Sequence, residues 1–196
     1  MDISRRELLW LAVLAEGGLA VIAGLLGWWL TKPPWQQTHL TLTDAGLGLA
    51  ASVPMLLLFF VFLKWPVGPW RHMRGLVDDV IRPVFRQATM GDLVLICTLA
   101  GVGEEWLFRG LIQGGLAPFV GTWWALAIAS VLFGLLHPMS VFYIILAAGF
   151  GFYLGGLMLA TDGLLGPIIA HGVYDLAALL WLTRGHREPS ALSQSV

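Results

Sequence analysis

Ionisable side chains occur inside three long apolar stretches of this sequence, where burying a charge is costly. They are Glu104, Glu105 and Arg109 in the first stretch, His137 at the end of the second, and His171 and Asp175 in the third. A carboxylate beside imidazoles can take a proton from water and pass it on, which is general acid–base chemistry. A low-dielectric pocket also strengthens the hydrogen bonds that hold a developing oxyanion. These residue types therefore make the three stretches candidates for a buried acid–base site.

Helical spacing sorts five of these six residues into two pairs and a single carboxylate. Glu105 and Arg109 are four residues apart, so they share a helix face and can pair within it. Such a pair offsets much of the cost of burying two charges. Glu104 points about 100° away from that face, which leaves it able to reach another helix. His171 and Asp175 are also four residues apart and share a face.

Depth in the membrane is a second criterion for which side chains can meet. It can be counted along the sequence because a helix rises about 1.5 Å per residue. Glu104 lies about 18 Å from the inner end of its predicted span, and His171 about 10–12 Å from the outer end of its own. These are similar levels in a hydrocarbon core of about 30 Å, so we expect the two side chains to meet. His137 fits less well, near the inner end of its span. Either that helix starts deeper, or it tilts, or the site opens towards the cytoplasm.

The elements that must position these residues are transmembrane helices. Of 196 residues, 58% are hydrophobic and 12% charged, whereas a soluble domain carries about 25% charged residues. A span needs about 20 mostly apolar residues. Several stretches reach this length, and six apolar spans can be drawn: Leu8–Leu30, Ala45–Leu63, Leu93–Leu116, Thr122–His137, Val141–Ala160 and Leu164–Thr183. The sequence thus predicts an all-α, polytopic integral membrane protein of about six helices, in which residues 1–196 form one domain.

The tract 64–91, between the second and third spans, differs from its neighbours. Basic residues are mixed there with apolar and aromatic ones, which is typical of an amphipathic helix on a membrane surface. The basic residues are Lys64, Arg71, Arg74, Arg82 and Arg86. We predict a cytoplasmic surface helix here in preference to a mobile lid.

The basic residues also predict the orientation and the partners. With the N-terminus inside, the outer loops hold only Lys32, whereas the inner segments hold Arg5, Arg6, the tract 64–91 and the basic residues after the last span. This bias predicts that both termini are cytoplasmic. A net charge of −1 argues against nucleic acid as a partner and leaves the lipid bilayer. Cys97 is the only cysteine, so no intramolecular disulfide can form.

Taken in order, three motifs resemble a known family. Glu-Glu-x-x-x-Arg from Glu104 to Arg109, Phe-x-x-x-His from Phe133 to His137, and His-x-x-x-Asp starting at His171 are similar to the pattern of the CAAX prenyl protease and bacteriocin-processing (CPBP) family. Its members are multi-helix intramembrane peptidases, often called glutamic-type. Each motif alone is weak, but together they are specific. The resemblance covers a motif core at about residues 93–182.

The resemblance implies a role for each site residue. Glu104, together with His137, would be the general base that activates a water. His171 and Asp175 would stabilise the oxyanion of the tetrahedral intermediate. The implied supporting residues are Glu105 and Arg109.

Position 175 departs from the pattern, since well-known members have asparagine where this chain has Asp175. An amide donates hydrogen bonds directly, whereas a carboxyl donates only when protonated, which burial favours. Alternatively, Asp175 orients a protonated His171, which then supplies the donor. Aspartate variants occur among bacterial relatives, so the assignment is kept.

The same residues suggest a competing metal chemistry, because two histidines and a glutamate could bind zinc with one open position. The zinc-protease signature His-Glu-x-x-His is absent. We therefore predict a metal-free, glutamic-type mechanism without a cofactor.

The resemblance implies as substrate a membrane-anchored protein or peptide, such as a C-terminal anchor, a leader or a CAAX-like tail. The small size of the chain, with about six helices, suggests a bacterial inner-membrane protein. The alternatives are a non-catalytic scaffold or bacteriocin-immunity protein of the same fold, and a small transporter using Glu104 and His171 as a proton relay. Glu16 in the first span could face the site, but we interpret it as an interhelical hydrogen-bond partner.

Overall fold

A computed structural model describes residues 3–30, 32–64, 68, 75 and 77–184 of the chain. All regular secondary structure in these ranges is helical. The helices are α1 (Arg5–Trp29), α2 (Leu42–Lys64), α3 (77–85), α4 (90–120), α5 (Thr122–Leu135), α6 (Val141–Thr161) and α7 (Leu165–Arg184). A short 3₁₀ turn, Pro34–Gln37, lies between α1 and α2.

Four of these helices, α1, α2, α6 and α7, are long and apolar enough to cross a membrane. They confirm the predicted all-α membrane architecture. The other two predicted spans stay predictions, each for a physical reason. Helix α4 carries the charges of the candidate site, which lower its hydropathy. Helix α5 has only 14 residues, about 21 Å at the usual rise, and is shorter than the hydrocarbon core.

Much of the predicted surface helix, at residues 65–67, 69–74 and 76, lies outside the described residues. The part that follows forms α3, where Asp78 and Arg82 pair at 2.9 Å one turn apart. Val77, Ile81 and Phe85 of α3 line a cavity together with the ends of α2 and α7. Helix α3 therefore lies against the same end of the bundle at which α2 and α7 end.

The starts of α1 and α4 are joined by an ion pair. Arg5 contacts both carboxylate oxygens of Asp92, at 2.6 and 2.8 Å. The Asp92 carboxylate also accepts a hydrogen bond from the Thr89 amide at the α4 N-cap. The hydrogen bonds from Arg5 hold the pKa of Asp92 well below its usual range. Helices α1 and α4 thus begin on the same side, as the predicted topology requires.

Two glycines allow the sharp connections around α5. Gly121 separates α4 from α5 and has φ +88°, a conformation that L side chains rarely adopt. At Gly134 a Cβ would lie 2.5 Å from the Ile144 carbonyl oxygen, so α5 and α6 pack with their backbones in contact. The short α5 is therefore held tightly against α6, and its end can present a site residue.

Candidate active site

A buried ion pair on α4 forms the rigid part of the site. Arg109 and Glu105 are 1% and 0% exposed, and their side chains meet at 2.9 Å, as the spacing predicted. Arg109 also donates to the Gly151 carbonyl at 3.1 Å, and its guanidinium stacks over the Phe133 ring at 4.4 Å. These contacts join α4 to α5 and α6. Because each charge has a partner, the pair can remain ionised in a buried place.

The same Glu105 carboxylate reaches α7. Its Oε1 atom lies 2.8 Å from Nδ1 of His171. On the other side of the ring, Nε2 of His171 lies 3.3 Å from Oδ2 of Asp175. An imidazole donates from both nitrogens only when it carries a positive charge. The geometry therefore suits a charged His171 held between two carboxylates.

Glu104 is the motif carboxylate that takes part in none of these pairs. Its side chain is buried, and its Oε2 lies 3.8 Å from Nε2 of His137 and 4.0 Å from Nε2 of His171. The contact with His171 confirms the match in depth that the sequence predicted. Both separations exceed a direct hydrogen bond. Among the described residues, Oε2 of Glu104 has no hydrogen-bond partner.

His137 corrects the predicted fourth span. Helix α5 ends at Leu135, and His137 lies in the turn that follows. Its Nδ1 is 2.8 Å from the Phe133 carbonyl. A carbonyl only accepts, so Nδ1 carries the proton and a neutral ring presents its Nε2 lone pair towards Glu104. The poor fit of His137 in depth is thereby explained, because the site lies at the end of α5 and not within it.

Two π-helical stretches flank the site. One, Trp106–Gln113, begins directly after Glu105, and the other, Val13–Gly17, contains Glu16. The wider turn of a π-helix changes which side chains share a face, and such turns are frequent at functional sites. Spacing arguments that assume 3.6 residues per turn could not find them.

Two cavities meet at these residues. The smaller, about 130 Å³, is lined by the four candidate catalytic residues together with Tyr143, Tyr174 and apolar side chains. The larger, about 590 Å³, shares Glu104, Asp175 and both tyrosines, and extends between α2, α3 and α7 to the rim residues Lys64, Asp78 and Arg82. Its remaining lining is mostly apolar. A polar chamber thus adjoins a long apolar one.

Some site features had no signal in the sequence. Tyr143 lines both cavities, yet its position at the start of an apolar span marks it only as an interfacial residue. The contact from Glu105 to His171 depends on how two helices are rotated towards each other. Glu16, for which the sequence allowed a place at the site but favoured an interhelical hydrogen bond, lines the larger cavity together with Glu104.

No group of three or more His, Cys, Asp or Glu that could hold a metal ion is found in the described ranges. The metal-free mechanism stays a prediction, and its test is given below.

A bundle of apolar helices that buries two glutamates, an arginine and a histidine, with a second, half-buried histidine beside them, defines a polytopic membrane protein with an internal acid–base site. A family model described as Type II CAAX prenyl endopeptidase Rce1-like matches residues 86–177. That range contains all three motifs, and the match confirms their resemblance to the CPBP family. Residues 86–177, which are 92 of the 196 residues, are thus similar to this family. Comparisons with curated proteins and with solved structures gave no match.

Proposed function

We propose that this protein is an intramembrane endopeptidase that hydrolyses a peptide bond through a water activated by Glu104. The observation that carries the proposal is the position of that carboxylate. It is buried, it faces two imidazoles at 3.8 and 4.0 Å, and it lines both cavities. The family match over the same residues supports a protease.

The gap between Glu104 and His137 has the width that a bridging water requires. A water hydrogen-bonded to both groups at ordinary lengths spans a separation of about 4 Å. It would donate one proton to Glu104 and the other to the Nε2 lone pair of His137. Its oxygen would then face the smaller cavity, where a substrate carbonyl can lie.

The reaction needs only groups already at the site. Glu104 takes a proton as the water oxygen bonds to the scissile carbonyl carbon, and the carbonyl electron pair moves onto its oxygen. When this oxyanion collapses, the carbonyl re-forms, the C–N bond breaks, and Glu104 returns the proton to the departing amine. The products are a carboxylic acid and an amine, and the acid then passes the second proton of the water to the amine, which gives a carboxylate and an ammonium group. A charged His171 beside the reacting carbonyl would stabilise the oxyanion.

Asp175 and the Glu105–Arg109 pair act through His171. The 3.3 Å contact favours Asp175 as an acceptor that orients the His171 ring over its use as a direct donor to the oxyanion. Glu105 holds the opposite nitrogen, and Arg109 holds Glu105. This chain of contacts would keep the charged imidazolium in place, so that its positive charge faces the oxyanion, before the substrate arrives.

The larger cavity supports a membrane-embedded substrate. Its mostly apolar lining and its opening between α2, α3 and α7 suit an apolar segment next to the scissile bond. We propose a membrane-anchored protein or peptide, such as a C-terminal anchor, a leader or a CAAX-like tail, in a bacterial plasma membrane. Both termini are proposed to be cytoplasmic, and reporter fusions after Ser4 and Arg187 on opposite sides of the membrane would contradict this.

A reconstituted assay tests the function. Protein in liposomes is expected to cleave an internally quenched peptide that joins a CAAX-like tail to an apolar anchor, with and without a prenyl group. His137→Ala should abolish cleavage, because the water loses its second partner. The control is Asp162→Asn, which removes an exposed carboxyl in a left-handed turn that asparagine tolerates. Equal rates for His137→Ala and the control would contradict the proposal.

The role of Asp175 is tested by the direction in which its substitution shifts the pH dependence of the cleavage rate. If Asp175 orients a charged His171, Asp175→Asn keeps an acceptor but removes the negative charge. Its activity should then fall off at lower pH than in the parent, with nearly parental rates on the acid side. Asp175→Ala should lower the rate about 10²-fold, by analogy with loss of an oxyanion donor. Activity of Asp175→Asn that extends to higher pH would instead assign Asp175 as a protonated donor.

Metal dependence is tested on the purified protein. We expect full cleavage activity after exhaustive chelation and much less than one zinc ion per chain by elemental analysis. Stoichiometric zinc that disappears together with activity in Glu104→Ala would assign the site to the metallopeptidase class.

A further inference from the structure

Glu16 is a fourth carboxylate at this site, and nothing in the proposed reaction uses it. It lies in the π-helical stretch of α1, and its Oε2 atom is buried without a hydrogen-bond partner among the described residues. Its side chain interacts with Glu104 and lines the larger cavity beside it. A wide helical turn thus places an acidic group against the proposed general base.

The backbone of α1 is pressed against α4 at this level. A Cβ at Gly103 would collide with the carbonyl oxygen of Glu16 and lie 3.4 Å from the Ala20 nitrogen. The residue directly before Glu104 is therefore a glycine that permits close approach of the two helices. Because the backbones touch here, the two carboxyl groups are held near each other by the helix packing itself.

Several titratable groups face this pair, and their charges are largely matched. The groups are Cys97 and Glu105 on α4, His137 after α5, Tyr143 on α6, and His171, Tyr174 and Asp175 on α7, with Lys64, Asp78 and Arg82 at the rim of the cavity. In the buried part, Arg109 and a charged His171 balance Glu105 and Asp175. Ionising both Glu104 and Glu16 would leave two uncompensated negative charges close together, which a low-dielectric site disfavours.

We propose that Glu16 is a positioning residue of the active site, whose protonated carboxyl donates a hydrogen bond to the Glu104 carboxylate and aims it at the water. This inference rests on the proposed function of Glu104. The pair holds one proton between its two carboxyl groups, as paired carboxyl groups do elsewhere. Glu16 does not itself touch the substrate.

The proposal predicts opposite behaviour for two substitutions. Glu16→Gln supplies an amide donor at every pH, so cleavage should continue near the parental rate and extend further into the alkaline range. Glu16→Leu removes the donor and should lower kcat about 10- to 100-fold, the usual range for loss of a hydrogen bond to a charged group. A residue that only packs would show no change in the shape of the pH profile.

The experiment compares pH–rate profiles of the parent, Glu16→Gln and Glu16→Leu on the quenched peptide in liposomes. Glu7→Gln is the matched control, since Glu7 lies on the same helix and is exposed. Its side chain accepts a hydrogen bond from the backbone of the N-cap residue Ser4, and glutamine can accept the same bond. Infrared spectroscopy of the purified proteins provides a readout independent of turnover. The band of protonated carboxyl groups should weaken in Glu16→Gln and stay unchanged in Glu7→Gln.

A parental pH profile in Glu16→Gln, or an infrared band that Glu16→Gln leaves intact, would overturn the inference. The infrared result also decides the case in which Glu16→Leu does not fold. If Glu104→Gln is inactive while both Glu16 variants behave as the parent, the positioning role is wrong and the proposed function stands. If the parent itself cleaves nothing, the function is wrong, and the infrared band still reports whether the two carboxyl groups share a proton.

Discussion

Glu104→Gln is expected to lower the rate of peptide cleavage by about 10²- to 10⁴-fold, the contribution typical of a positioned general base. Glutamine has nearly the same shape as glutamate, so the packing of α4 should be unaffected. Its amide cannot accept the proton that the attacking water must lose. The measurement is the initial rate on the quenched peptide in liposomes, with helical content by circular dichroism as the check on folding.

Two outcomes decide this prediction. A large loss of activity in Glu104→Gln, with parental activity in Asp162→Asn, supports a base at position 104 and not a general need for acidic residues. Near-parental cleavage by a folded Glu104→Gln protein would show that another group activates the water.

Arg109→Met is expected to destabilise the protein by about 3–5 kcal/mol, the cost of leaving a buried charge without its partner. Arg109 is 1% exposed, and its loss leaves the fully buried Glu105 with only His171 as a charged partner among the residues that the structure describes. It also removes the donor to the Gly151 carbonyl. The effect should appear as a lower temperature of unfolding in detergent.

The double variant Glu105→Gln with Arg109→Met is the matched control. It removes both charges, so it should recover much of the stability lost in Arg109→Met alone, as replacing a whole buried ion pair is often nearly neutral. Equal destabilisation in the single and double variants would mean that Arg109 stabilises the fold by packing and hydrogen bonding and not through its charge.

Contacts within one helix were predictable from the sequence. Glu105 with Arg109 and His171 with Asp175 are each four residues apart, and both pairs are present at 2.9 and 3.3 Å. Such pairs depend only on the helical repeat. The meeting of Glu104 with His171 was also predicted, because depth in a membrane can be counted from the ends of apolar spans.

Contacts that depend on helix ends and rotation were not predictable. The apolar run does not give the exact end of α5, which stops at Leu135. Pro138, which disfavours a helical conformation at His137, is the one local signal that His137 lies in a turn. The two π-helical stretches change the direction of side chains such as Glu16 without any marker in residue type. The contact between Glu105 and His171 requires α4 and α7 to face each other at one particular rotation.

The most direct test of the account is to identify new peptide ends by mass spectrometry in membranes from cells that lack this protein. The membranes are fused with liposomes carrying the parent, Glu104→Gln or Asp162→Asn, in water enriched in ¹⁸O. The account predicts new carboxyl ends next to apolar anchor segments, each with ¹⁸O from the attacking water, for the parent and for Asp162→Asn, and none for Glu104→Gln. The same new ends appearing with Glu104→Gln would contradict the claim that this carboxylate activates the water.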